Sequence, residues 1–312
     1  MSQALPAVSA TIVLYNSERG LEDCLRSLTP ELDEGFAELI AVDNSSPDRS
    51  AQLIRDLVPA ATVIESSKNV GFAGGANLAW QSARGRYWLL LNPDARLAPG
   101  ALRRLVEWMD AHPRLGVASA ELQAAEDGGT GHITGRALPS LWRPLLEVTR
   151  LHRLLPANLR GRLLRGPYWT GGDQTDAGWV PGTALMARRE AVEEVGILDD
   201  RFFLYGEDIE WCWRMKRHDW GIGVCSTARV AHDESSSAGA TFTRDDLRER
   251  MARGEVRAVA VRRGALYARI YAWLTALALR TEAVHPFRST EAKQAALTAA
   301  RAWTSAAREA SR

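Results

Sequence analysis

The sequence predicts an α/β fold: an α/β/α sandwich around a mixed, mostly parallel sheet, followed by a helical C-terminal extension. Three observations predict it. From Ser9 to Ala111, short apolar runs of strand character alternate with segments of helical periodicity, which is the pattern of βαβ units joined by right-handed crossovers. Asn16, Asp43, Asn69 and Asp94 all fall just after predicted strands, and ligands of such sheets bind at the carboxyl ends of the strands. After His232 the chain turns rich in alanine and arginine and reads as helix to its end.

The elements follow in order. Ser9–Leu14 (SATIVL) is a strand, Gly20–Leu28 a helix, and Glu38–Val42 (ELIAV) a second strand that ends at Asp43. Arg49–Leu57 is a helix stopped by Pro59, and Ala61–Ile64 is a third strand. Gly74–Ser82 is a helix, and Tyr87–Leu91 (YWLLL) a buried strand that ends at Asn92-Pro93-Asp94. Pro99 suits the first turn of a helix reaching Ala111. Between Glu126 and Asp176 the pattern loosens around an arginine- and leucine-rich insertion, 136–166, whose seven arginines oppose only Glu147. It reads either as a solvated amphipathic surface or as a face that meets an anionic acceptor or a membrane. Trp179–Ala187 is a strand bent at Pro181-Gly182, Arg189–Val195 and Glu207–Arg217 are helices, and Ile222–Cys225 is a strand. The expected division is one domain over 1–237, with a nucleotide-binding half (1–120) and an acceptor half (121–237), then a helical extension over 238–312.

Composition narrows the function. The 312 residues are 46% hydrophobic and 25% charged, ordinary for a globular enzyme, and the net charge of +1 argues against a nucleic-acid partner. Cys24, Cys212 and Cys225 share no metal-ligand spacing and read as buried thiols of a reducing compartment. The opening MSQALPAVSATIVLYN lacks the basic n-region of a secretory signal. No run reaches the roughly 18 apolar residues of a membrane span, and the best candidate, Ala265–Leu279, carries Arg269. The expectation is a cytoplasmic protein, peripheral at the inner face of the membrane. Its tail would serve as a dimer interface, a membrane contact or a brace.

Three segments carry chemistry. In Leu89–Asp94 (LLLNPD) a buried strand delivers Asn92 and Asp94 at its carboxyl end, two oxygen-bearing side chains suited to a hard divalent cation that also holds a diphosphate. Asn-Pro-Asp is also good turn chemistry. In Ala41–Asp48 (AVDNSSPD), Asp43 ends an apolar strand where a carboxylate can accept the imide N–H of uracil or thymine, while Asn44 to Asp48 read as a helix cap and turn. Lys68–Asn77 (KNVGFAGGAN) is a glycine-rich loop that opens a helix, and Gly71, Gly74 and Gly75 allow close backbone approach to a diphosphate. It has neither the dinucleotide nor the P-loop spacing.

These segments, in this order, resemble the nucleotide-sugar half of family 2 inverting glycosyltransferases. WVPGTALMARREAVEEVGILDDRFFLYGEDIEWCWRMKRHDWGIGV looks like the same family's acceptor-side signature. The likeness spans Ser9 to Ser237 and is strongest to the rhamnosyltransferase-like branch. The resemblance implies a GT-A-type fold and inverting, metal-dependent transfer of a sugar from a nucleotide-diphosphate donor, dTDP-rhamnose first, to a glycan or lipid-linked saccharide of the cell envelope. Asp43 would bind the base, with Val13, Tyr15 and Asn16 lining the nucleoside pocket; Asn69, Phe72, Gly75 and Asn77 would shape the ribose and sugar side. Asp94 would be the main ligand of Mg²⁺ or Mn²⁺, with Asn92 where relatives carry the first acid of D-x-D, and His232 near metal and diphosphate. Asp208 would be the general base, with Glu207 beside it, and Trp179, Gly182 and Arg214 would lie on the acceptor side. A UDP-hexose or UDP-galactofuranose donor fits the same pocket. Two rivals are a nucleotidyl- or phosphotransferase, disfavoured by the lack of a basic phosphate loop after the first strand, and a non-catalytic glycan- or nucleotide-binding module.

Overall fold

The computed structural model describes residues 5–124, 134–164, 172–232, 242–284 and 289–310. They form two compact units. An α/β unit comprises Met1–Arg136, Gly171–Phe203 and Trp211–Thr241; a helical unit comprises Ala137–Thr170, Leu204–Glu210 and Phe242–Arg312. Compactness thus divides the chain along a different line from the expected boundary at 237. Most of the insertion and the segment containing Glu207 cluster with the C-terminal helices.

The α/β unit holds one sheet of eight strands: β1 (Val8–Leu14), β2 (Ala37–Asp43), β3 (Thr62–Glu65), β4 (Tyr87–Leu91), β5 (Ala95–Leu97), β6 (Leu115–Ala124), β7 (Ala184–Arg188) and β8 (Gly221–His232). Their order is β3-β2-β1-β4-β7-β6-β8-β5. The first four run parallel, β7 is antiparallel to both β4 and β6, β6 and β8 are parallel, and β5 is antiparallel to β8. The sheet is mixed, as predicted. β1 and β4 are buried along almost their whole length because helices cover both faces, which is why these strands read as unbroken apolar runs.

One face packs on α1 (Glu18–Asp33) and α4 (Ala101–Ala111) through Leu21, Leu25, Leu28, Leu102, Leu105 and Met109. On the other, α3 (Gly71–Trp80) brings Ala79 against Ile40 and Val42. Trp88 points to a fully buried position and donates its indole N–H to Thr11 Oγ1 at 2.9 Å, so that polar atom is not stranded. α2 (Ser50–Leu57) and α7 (Arg189–Val195) complete the crossovers.

Several elements differ from the sequence reading. β5 and β6 were not expected: β5 has three residues, and LGVASAELQA in β6 is too poor in branched side chains to signal a strand on its own. β6 is made a strand by its partners on either side, β7 and β8. β7 begins only at Ala184, because Pro181 lacks a ladder N–H; Trp179 instead makes an isolated bridge to Arg136. Pro99 lies outside α4, which starts after Gly100 in a left-handed conformation (φ 69). β8 runs on from Cys225 to His232.

In the helical unit are α5 (Trp142–Val148), a 3-10 helix (Leu151–Leu154), α6 (Ala157–Leu164), the first turn of α8 (Glu207–Arg217), α9 (Arg244–Arg263), α10 (Ala265–Ala283) and α11 (Thr290–Glu309). Thr243 starts α9 with a capping box: its hydroxyl accepts the Asp246 N–H at 3.2 Å while Asp246 accepts the Thr243 N–H at 3.1 Å. Buried alanines on α10 (Ala268, Ala272, Ala276) and α11 (Ala296, Ala300) form the interior. Tyr271 meets Trp303 edge-on at 5.6 Å and donates to Glu255 at 2.5 Å. Among the described residues no helix is long and apolar enough to cross a membrane.

Candidate functional site

The site is built on the carboxyl ends of parallel strands. β1 and β2 finish in register, Leu14 beside Asp43, and Asp43 stands beside Glu65 on β3. Past β1 the chain turns sharply: Tyr15 is 38% exposed, Asn16 is left-handed (φ 53), and the Ser17 hydroxyl accepts the Tyr15 N–H at 3.1 Å. Asp48 fixes this turn to the next loop. It accepts the Glu18 N–H at 2.8 Å and the Ser50 hydroxyl at 2.6 Å. Burial alone would raise its pKa, but these hydrogen bonds outweigh burial and hold the carboxyl below its usual range. Asp43 is half-buried, with one oxygen accepting the Ser46 N–H at 3.1 Å.

Asn44 organises the glycine-rich loop. It is 2% exposed; its amide donates to Asn69 Oδ1 at 2.9 Å and to the Gly71 carbonyl at 3.0 Å, and its carbonyl accepts the Val70 N–H at 2.8 Å. Asn69 Oδ1 also accepts the Gly71 N–H at 2.9 Å. Gly71 is left-handed (φ 80), and a Cβ there would collide with the Phe203 carbonyl, the same carbonyl that accepts the Phe72 N–H at 2.8 Å. Only glycine meets both conditions. Gly75 lies so close to Val13 that a Cβ would stand 2.7 Å from its side chain, and Phe72 lies over Gly182. Val13, Asn69, Phe72, Gly75 and Gly182 are therefore brought into one neighbourhood. Asn77 donates to the Leu198 carbonyl at 2.9 Å, and its own side-chain oxygen, out of water, has no hydrogen-bond partner. The sequence reading missed Asn44, taking it for a cap residue; its position directly after a buried strand was the available signal.

A carboxylate and an imidazole meet at the next strand end. Pairing of β5 with β8 sets Ala95 opposite His232, and His232 Nε2 stands 3.2 Å from Asp94 Oδ1, with side chains 12% and 3% exposed. Asn92 is held by its backbone: its N–H donates to the Thr183 carbonyl at 2.9 Å, and its carbonyl accepts from Ala95 at 3.0 Å. Burial and then the nearby Asp94 charge push the Cys24 thiol up, so it is inert beside this pair. Among the described residues no three His, Cys, Asp or Glu side chains gather as a metal cage. Asp94 and His232 nonetheless fit a hard divalent ion that keeps open positions for phosphate oxygens and water, since carboxylate suits Mg²⁺ or Mn²⁺ and imidazole is compatible with Mn²⁺.

The residues assigned to the acceptor side are mostly scaffold in their visible contacts. Trp179 is 7% exposed and lies under the Arg136 guanidinium at 5.0 Å. Arg214 donates to the carbonyls of Val195 (3.0 Å) and Ile197 (2.7 Å), which caps α7 and fixes the loop that receives Asn77; burial lowers its pKa. Trp211 is fully buried, edge-on to Trp88 at 5.8 Å.

In the helical unit, Gly206, Glu207 and Asp208 start α8. Gly206 (φ 95) follows left-handed Tyr205 (φ 69), and a Cβ on it would collide with the Gly254 carbonyl in α9. Two backbones touch there without side chains between them. Glu210 is 1% exposed and pairs with Arg262. Glu207 is 4% exposed; burial, then the Asp208 charge, raise its pKa well above the usual carboxyl value, and one of its oxygens has no hydrogen-bond partner. Asp208 is less buried, and one of its oxygens accepts the Ile209 N–H at 2.8 Å.

Comparison with known proteins bears on the family and the fold. Residues 9–160 match the family model described as glycosyl transferase family 2. The N-acetylglucosaminyl-diphospho-decaprenol L-rhamnosyltransferase of Mycobacterium tuberculosis is 26% identical over 267 residues, covering 77% of this chain and 79% of that protein. The galactofuranosyltransferase GlfT1 of Mycolicibacterium smegmatis is 26% identical over 233 residues, covering 72% of this chain and 70% of that protein. In three dimensions the chain is similar to the Pyrobaculum calidifontis mannosyltransferase solved with GDP-Man and Mn²⁺, with a TM-score of 0.58 and 18% identity over 99% of this chain and 86% of the other. That likeness is one of fold, and the fold is of the GT-A type. The matched segment, just under half of the chain, runs through all three donor-side motifs and supports a family 2 glycosyltransferase.

Proposed function

We propose that the chain transfers a sugar, with inversion, from a nucleotide-diphosphate donor to a hydroxyl of a cell-envelope or lipid-linked glycan. The observation that carries this reading is the buried Asp94–His232 pair, 3.2 Å apart at the carboxyl edge of the sheet. Asp43 accepts the imide N–H of the base, its carboxylate oriented by the Ser46 N–H. Asn44 and Asn69 hold the glycine loop so that its backbone meets the donor without a side chain intervening. Asp94 and His232 hold Mg²⁺ or Mn²⁺, which when bound offsets the negative charge of the departing diphosphate.

Asp208 takes the proton of the acceptor hydroxyl as that oxygen forms its bond to the anomeric carbon; the bond from that carbon to the diphosphate breaks, and both of its electrons leave with the diphosphate. Glu207, whose surroundings favour its protonated form, donates a hydrogen bond that orients the acceptor. Rhamnose from dTDP-rhamnose is the first choice of donor, supported by the name of the Mycobacterium tuberculosis relative. A UDP-galactofuranose donor is the second, supported by a relative of equal identity.

The test is donor binding by calorimetry, with dTDP-rhamnose, UDP-galactofuranose and UDP-glucose, each with and without Mn²⁺. Metal-dependent binding of one donor, lost in Asp94→Ala, is the expected result and names the sugar. A folded protein that binds none of them, and whose Asp208→Asn variant changes no activity, would leave the chain a glycan-binding module instead.

A further inference from the structure

We infer that the helical unit docks on an anionic lipid surface through one face of α10. This helix is apolar on both sides. Its alanines Ala268, Ala272 and Ala276 are buried, while Leu266, Ile270, Trp273 and Leu277 are between 42% and 69% exposed. Their spacing of four, three and four residues places all four within about 60° on the helix. A stripe of four large apolar side chains in water, opposite a face that already packs, is an interaction surface without its occupant. α5 is tied to α10 by the Leu141 N–H, which donates to the Tyr267 hydroxyl at 3.2 Å, and exposes Trp142 at 72%. Farther along, the 3-10 helix exposes Leu154 at 79% directly after the exposed Arg153, with the exposed Arg150 before its first residue.

Charge identifies the occupant. The segments of the helical unit carry 20 Lys and Arg against 11 Asp and Glu, a net +9, while those of the α/β unit carry 19 against 27, a net −8. The near-neutral total conceals this asymmetry. On α10, Arg269 and Arg280 are exposed along one margin of the stripe. Large apolar side chains edged by arginine, with tryptophan among them, match the boundary between anionic headgroups and acyl chains. A second copy would bring +9 against +9, and the apolar stripe offers the phosphates of a nucleic acid nothing to bind. Since no described helix can span a bilayer, the contact lies in the plane of the surface.

Sedimentation of the full chain with vesicles tests this without any sugar donor, so its outcome is separate from that of the transferase reading. The chain is expected to bind phosphatidylcholine vesicles containing phosphatidylglycerol, and to bind pure phosphatidylcholine at least about tenfold more weakly. Trp273→Glu with Leu277→Glu should weaken binding more than about tenfold, because both charges enter the apolar layer. Arg269→Glu with Arg280→Glu, which leaves the stripe intact, should cost about fivefold for each arginine lost on anionic vesicles alone. All four positions are exposed, so unchanged thermal unfolding verifies the fold. Failure of the wild-type chain to sediment with anionic vesicles overturns the inference. So does equal binding by the glutamate variants, or a wild-type dimer that Trp273→Glu converts to monomer, which would assign the face to a second copy.

Discussion

The glycine loop of the α/β unit and the start of α8 in the helical unit treat buried polar groups in opposite ways. At the donor edge of the α/β unit the deeply buried organiser is a neutral amide: Asn44 uses both ends of its side chain on Val70, Asn69 and Gly71. At the start of α8 in the helical unit the buried groups are acids: Glu210 against Arg262, and Glu207 with an oxygen that has no hydrogen-bond partner. An amide network fixes a loop at any pH and adds no charge to repel a diphosphate. A buried carboxyl is costly to ionise and therefore responds to protons. Rigid, neutral construction suits the binding of an anion; strained acidity suits proton transfer.

This contrast can be broken by experiment. The largest effect is expected for Asp208→Asn: turnover should fall by about a thousandfold with the donor KM nearly unchanged, read from initial rates at saturating acceptor. A KM change of the same size would move Asp208 to the donor side. Next, Asp94→Ala should weaken donor binding in Mn²⁺ by at least the roughly tenfold to hundredfold that loss of even an outer-shell partner of a metal costs. Binding without metal should stay the same, and calorimetry separates the two.

Asn44→Ala should destabilise the fold by about 3 kcal/mol, since it strands the Val70 N–H and the Gly71 carbonyl. Urea unfolding measures the loss, and a loss under about 0.5 kcal/mol, the level of ordinary surface substitutions, would mean the amide network is dispensable. The smallest effect concerns pH. The Glu207 pKa is raised on folding, so its contribution to stability is full below its unfolded value near 4.5 and declines as pH rises toward the folded value. Glu207→Gln should match the wild-type Tm at low pH and exceed it increasingly above that point. A constant offset would assign the difference to packing.

Much of the donor edge was legible because strand ends are marked twice, by the end of an apolar run and by the polar residue that follows it. Asn69 was placed by its glycine-rich loop, while Asp43 and Asp94 carry that double mark. Asn44 does not: Asn before Ser-Ser-Pro-Asp is ordinary turn chemistry, and its partners at 69 to 71 are distant in sequence. His232 was placed by resemblance, and its meeting with Asp94 depends on β5, too short to be read from three residues. Arg214 was read as an acceptor-side residue because helix periodicity says nothing of the carbonyls that await it at the end of α7. Of the insertion's seven arginines, Arg165 lies outside the described residues.

The backbone contact between Gly206 and Gly254 makes the last quarter of the chain harder to discard than its plain composition suggests. Cutting the gene after Ser237 would remove Gly254 and Arg262 together. The turn into α8 would lose the surface against which it is folded, and Glu210 its buried counter-charge. A minimal catalytic fragment therefore has to keep α9. Anyone recombining tails among relatives would have to exchange residue 206 and residue 254 as a pair.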